Sequence, residues 1–262
     1  MIKHFKFFLY SLLASQYIRL FVGYLRWFYF VKIKKNLKNL NEPTNSIQKT
    51  VSHNLIVFDK FPLSDFVMKR MDWIIRAVSA IEFLNNKSKF LIIGPRTESD
   101  ILKLRSIFYE SDIKAIDLIS YSPLILLEDF HNMSFKNDEF DCIICGWTIS
   151  YSNSPIEGLK EIIRCTKNYG LIAFGVEHFN HKSDYYTNKV VKDKRKINHY
   201  FNESNSRLNS IKDFNDLFKK ANTKFKLIFN HDAPLKDKKY QKLIEINGLA
   251  SSQVICVYQI IK

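Results

Sequence analysis

Short apolar runs alternate with helically spaced apolar positions through most of this chain. Phe90, Leu91, Ile92 and Ile93 form a continuous apolar run closed by Gly94, the pattern of a strand buried on both faces. Ile101, Leu102, Leu104, Ile107 and Phe108 follow at helical spacing, with Thr97 and Ser99 as candidate N-caps. The same reading predicts a second strand over 113–118, a third over 139–146, a helix over 154–167 and a strand over 170–177. Ser154 and Pro155 mark the start of that helix. Further along, 211–221 reads as a helix and 224–229 and 253–261 as strands. An amphipathic helix over 65–84 precedes the first strand. Strands alternating with helices imply a doubly wound α/β architecture, mostly parallel, with ligands held beyond the carboxyl ends of the strands.

The two ends of the chain depart from that rhythm. Residues 7–31 are largely aromatic and aliphatic, long enough to span a bilayer. Arg19 and Arg26 disfavour spanning, since each costs about 2.5 kcal/mol or more near a membrane centre. They lie seven apart on one helical face, away from Phe21, Leu25 and Phe28, which suits a helix lying in a membrane interface. Packing of this helix on its own domain or on a second subunit is the competing reading. A basic hydrophobic helical extension over 1–40 is therefore expected, then a turn-rich linker over 41–60 and one domain over 61–262. The polar stretch 180–210 reads as an inserted lid within it.

Charge sharpens this division. The chain has 262 residues and a net charge of +14. Residues 1–40 hold eight bases and no acid, whereas 41–181 are slightly acidic. Lysines near 189–196 with neighbouring tyrosines raise an RNA reading, but no RNA-binding motif accompanies them and nucleic acid is not the expected partner. The four cysteines suit a reducing, cytoplasmic compartment. Cys142 and Cys145 belong to one apolar strand, where residues three apart face opposite ways, so core packing is expected and no metal site.

Gly94, Asp117, Trp147 and Glu177 all fall at predicted strand ends. An acid such as Asp117, 23 residues after Gly94, accepts hydrogen bonds from ribose hydroxyls in doubly wound folds.

Two stretches carry a more specific likeness. Asp129 to Phe135, then Phe140 and Asp141 opening a strand, is similar to a pattern of the class I S-adenosylmethionine (SAM) dependent methyltransferases. Glu161, Arg164, Lys167 and Gly170 resemble the acid-x-x-Arg and Lys-x-x-Gly turn of the same family, of the methyltransferase type 11 kind. The resemblance implies a Rossmann-like sheet with an antiparallel C-terminal strand, and SAM as cofactor. It implies that Gly94 approaches the methionine moiety, that Asp117 and the adjoining Leu118 meet the ribose, and that Asp129 and the Phe130 amide meet the adenine. Gly146 and Trp147 would line the pocket near the sulfonium. The chain departs from the family where an acid and Gly-x-Gly-x-Gly are usual, having Ile92, Gly94, Arg96 and Glu98 instead. Glu98 or Asp100 is then a candidate for the methionine amino group, and Arg96 for a carboxylate or phosphate. His131, Glu177 and His178 are candidate general bases.

The expected function is methyl transfer, by O-methylation, to a small molecule or a glycan or glycolipid of polysaccharide biosynthesis. The expected setting is the cytoplasm, with the basic extension peripheral to the inner membrane face, and a homodimer is allowed. A non-catalytic binding or scaffold protein of the same fold is the alternative, and an RNA methyltransferase the third.

Overall fold

The computed structural model describes residues 2–40, 48–63, 66, 70–179, 208, 210–231 and 251–262. The expected lid over 180–210 lies almost wholly outside them. The central sheet is built from β2 (Lys89–Ile93), β3 (Asp112–Asp117), the short β5 (Leu126–Leu127), β6 (Phe140–Gly146), β7 (Thr166–Phe179), β8 (Lys224–His231) and β9 (Ser251–Ile261). Their order is β5-β3-β2-β6-β7-β9-β8. The first five are parallel, while β9 runs antiparallel to both β7 and β8. The chain thus has the doubly wound, Rossmann-like sheet with antiparallel C-terminal strands that its pattern implies.

Period-two alternation divides the core into two layers. Leu91, Ile93, Ile143, Cys145, Ile172, Phe174, Cys256 and Tyr258 face α6 (Pro155–Cys165) and α7 (Ile211–Lys220). Phe90, Ile92, Cys142, Ile144, Ala173 and Val257 face α4 (Arg70–Ser79) and α5 (Glu98–Ile107). Cys142 and Cys145 thus lie on opposite faces of the sheet. Burial raises the thiol of Cys142 well above its ordinary range and that of Cys145 to about 12, which makes both inert core residues.

The N-terminal extension is two helices, not the continuous one expected. α1 (Ile2–Leu12) and α2 (Gln16–Trp27) pack on α5, and α2 runs on as a π-helical turn over Phe28–Ile33. Arg19 explains the break: its guanidinium donates to the carbonyls of Leu13 and Ala14, left without partners as α1 ends. β1 (Lys38–Asn39) then pairs antiparallel with β4 (Ile119–Ser120) beside the end of β3. The expected linker is also corrected. Residues 48–59 form α3 (Gln48–Asp59), whose Phe58 is buried with Trp27, Val31, Ile119 and Tyr121. Leu55 and Phe58 supply the helical apolar spacing, and the turn residues that suggested a linker lie at 43–46, outside the described residues. Extension and domain therefore share one core cluster. Helix α4 is shorter than the reading over 65–84 because Ile81 and Leu84 are used in the turn that reverses the chain into β2.

Candidate active site at the strand ends

The loop after β2 holds its shape without the usual glycines. Gly94 has φ +68° and donates its amide to Ile116 on β3. A side chain there would collide with the Thr148 hydroxyl group, so only glycine fits. Arg96 also takes a left-handed φ of +58°, a conformation costing about 1 kcal/mol for a residue with a Cβ. The backbone turns at Arg96 as a glycine would, but a side chain fills the space glycine leaves open.

Asp117 clasps that loop. Its carboxylate accepts the Arg96 amide at 3.0 Å and the Ile119 amide at 3.3 Å. Desolvation pushes its carboxyl up to about 6, opposed by these amides, by that of Leu118 and by the Arg96 charge. Each carboxylate oxygen accepts more than one hydrogen bond, so a diol could still be received. Leu118 turns instead toward the extension, packing against its cluster and accepting the Leu40 amide.

Glu98, two residues beyond Arg96, is completely buried at the start of α5. Arg26 of α2 grips it with two N–H groups, at 2.5 and 2.9 Å, and the Ser122 hydroxyl donates to it as well. A buried carboxylate needs such partners. Its bond to Glu98 is the largest cause raising the Arg26 pKa. Sequence reasoning missed Arg26 and Ser122 as site neighbours, since only the fold brings α2 and the turn after β4 to α5.

A second polar cluster lies after β5. Asp129 Oδ1 meets His131 Nδ1 at 2.5 Å and also accepts the His131 amide. His131 Nε2 lies 2.6 Å from the Ser152 hydroxyl, which accepts the Ser154 amide. The His131 side chain is only 2 % exposed. It is enclosed by its partners, and any proton it moves toward a crevice passes through Ser152. Phe130 stacks on the His131 ring at 4.0 Å and covers Gly158.

Arg164 of α6 fastens this stretch from below. It donates to the carbonyls of Met133 and Phe135 and to Asn137 Oδ1, while Glu161 accepts the Met133 amide and two bonds from Arg164.

Two further expected positions serve packing. Gly146 lets Met71 of α4 approach β6, where a Cβ would lie 2.0 Å from its sulfur. The Trp147 ring lies against Gly175 within the α4-side core, and its amide donates to Gly175 at 2.6 Å. Glu177 and His178 sit at the carboxyl end of β7, paired with Gln253 and Ser252 of β9; their side chains lie outside the described set. Gly94, Arg96, Glu98 and Asp117 are thus gathered on one side, and Asp129 and His131 on another.

Residues 110–174, which hold Asp117, Asp129 and His131, match a family model described as a methyltransferase domain. Comparison with curated proteins returns no match. Among solved structures, a protein of Galdieria sulphuraria, provisionally described as a sarcosine dimethylglycine methyltransferase, superposes with a TM-score of 0.53 at 11 % identity, covering 77 % of this chain and 89 % of that one. A chain in the complex of the Haloferax volcanii Trm112 methyltransferase activator and its methyltransferase does so at 0.51 and 13 %, covering 82 % and 96 %. The MccD protein matches at 0.50 and 15 %, covering 72 % and 96 %. With its strand order and the match over 110–174, the chain has the fold of the class I SAM-dependent methyltransferases.

Proposed function

We propose that the protein is a SAM-dependent methyltransferase whose cofactor lies along the carboxyl edge of β3, β2 and β6. The observation that carries this reading is Asp117, a desolvated carboxylate inside the matched methyltransferase stretch, at the end of β3 and beside the left-handed turn of Gly94. The donor set suits the cofactor. Its ribose hydroxyls, methionine ammonium and adenine amine are all donors, and Asp117, Glu98 and Asp129 are three acceptors near the same edge. Asp117 would hold the ribose and Asp129 with the Phe130 amide would face the adenine, while Glu98 would take the ammonium in place of its Arg26 partner. The cofactor supplies a methyl group already activated on sulfur, so the protein's part is position and a dry pocket.

The acceptor we favour is a hydroxyl on a small molecule, glycan or glycolipid. Its proton would go to Glu177 or His178, since His131 is enclosed by Asp129 and Ser152. The glycan preference rests on the basic, aromatic extension beside the site.

Calorimetric titration with SAM tests the reading. Micromolar binding is expected, with a loss of about a hundredfold or more in Asp117→Ala, on the scale of two charge-assisted hydrogen bonds. No heat at millimolar SAM would defeat the enzyme reading. It would favour instead a non-catalytic relative, which the occupation of Glu98 by Arg26 within the chain makes a specific second reading.

A further inference from the structure

Helix α2 is amphipathic with its apolar stripe turned outward. Arg19, Gly23, Trp27 and then Val31 recur every four residues and face the protein. Arg19 is only 6 % exposed although charged. Tyr17, Phe21, Leu25 and Phe28 form the opposite stripe. Tyr17 and Phe21 are 84 % and 64 % exposed, and Leu25 and Phe28 are exposed too. The two arginines that would ordinarily mark the water-facing side are consumed internally, Arg19 by the end of α1 and Arg26 by Glu98. Helix α1 extends the apolar surface with exposed Phe5 and Phe8. So many large exposed apolar side chains on two helices depart from the singly scattered ones of ordinary monomers.

We propose that this face of α1 and α2 docks on an anionic lipid surface, the helices lying in the plane of the interface. Charge selects this occupant. Residues 1–40 contain eight bases and no acid, and Lys6, Lys34 and Lys35 are exposed near the two ends of the aromatic stripe, while Lys32 is held by Asp59. A second copy seated on this face would bring two such basic segments together, whereas anionic headgroups neutralise them. Tyrosine and phenylalanine with flanking lysines also suit the headgroup boundary. No helix among the described residues is long and apolar enough to cross a membrane, so the docking is peripheral. It would orient the carboxyl edge of the sheet, through Arg26 and Glu98, close to the bilayer. The docking itself does not depend on the methyltransferase reading.

The test is flotation of the full-length protein with vesicles of phosphatidylcholine alone and with about one third phosphatidylglycerol. Binding to the anionic vesicles, weakened by salt, is expected, with little binding to neutral ones. Phe21→Ser with Leu25→Ser should reduce it about tenfold or more while leaving thermal unfolding unchanged, because both residues face outward. Lys34→Glu with Lys35→Glu, which keeps the apolar face and the Lys32–Asp59 pair, should also weaken it. The proposal is overturned if the wild type ignores anionic vesicles or if the serine variant binds them equally. It is equally overturned if sedimentation shows an oligomer that the serine variant dissolves while vesicle binding is absent. SAM titration of the serine variant keeps this result apart from the enzymatic reading, since cofactor affinity should be unaffected.

Discussion

The loop after β2 and the stretch after β5 flank the same edge of the sheet, and the chain treats them in opposite ways. From Asp129 to Asp141 the family-like residues are present, and Arg164 and Glu161 hold the backbone as their own spacing suggests. From Gly94 to Glu98 one glycine remains, and the rest of the geometry is built from elsewhere: a left-handed arginine, a clasping Asp117, a threonine from the β6 turn and an arginine from α2. Backbone shape can thus outlast the residues that normally produce it, when side chains distant in sequence take over their work. The rebuilt loop also depends on the N-terminal extension, through Arg26.

Substitutions can break this contrast from both sides. The largest effect is expected for Arg26→Ala, which strands the buried Glu98 carboxylate. Allowing for the partial exposure of Arg26, a loss of about 2–4 kcal/mol should appear in urea unfolding, largely recovered by adding Glu98→Gln. If the loss is below 0.5 kcal/mol, roughly that of a surface pair, the extension does not brace the loop. Arg164→Ala should cost about 2 kcal/mol by freeing the carbonyls of Met133 and Phe135, with unfolding measured in the same way. An intact stretch after that change would mean it is self-supporting.

A pH series probes the loop further. The folded-state pKa of Asp117 is raised to about 6, so the folded protein holds this proton over a range where the unfolded chain has released it. Stability from this group is therefore present at low pH and is lost as pH rises from about 4 through about 6, on the order of 3 kcal/mol in all. The melting temperature of Asp117→Asn relative to wild type should rise across that window. Smallest is Arg96→Gly, where removing left-handed strain should offset the greater freedom of the unfolded chain to within about 1 kcal/mol. If the proposed cofactor site is right, SAM affinity should rise in this variant, because the filled space is reopened.

Much of the sheet was legible because its strands are buried on both faces and read as uninterrupted apolar runs, Phe90 to Ile93 and Cys142 to Cys145 among them. The helix ends at Ser154 and Pro155 were legible for the same local reason. The extension was not. Arg19 and Arg26 looked like a water-facing stripe, and only the fold supplies their true partners, the α1 carbonyls and Glu98. Phe21, Leu25 and Phe28 were legible as a face apart from the arginines, and all three are exposed, whereas Tyr17 was read beside the arginines and lies outward too. Asp129 was read as facing a ligand, but a histidine two residues on competes for it, a local side-chain contact that spacing alone does not rank against a bound group. Trp147 and Gly146 were placed at a strand end correctly in sequence, yet the Trp147 ring and the Met71 side chain over Gly146 belong to the packing of α4, a helix more than sixty residues upstream.

The position of β9 has a bearing on how the protein is made. This strand lies inside the sheet, between β7 and β8, although it follows both along the chain. Among the described residues β8 pairs with β9 alone, so it waits for residues 251–261 to emerge, and the edge of β7 that β9 covers waits equally long. The ribosome must therefore deliver residues 251–261 before the sheet can be completed, leaving a nascent species in which β7 and β8 still lack their shared partner. That species is where chaperone binding or aggregation would compete with folding.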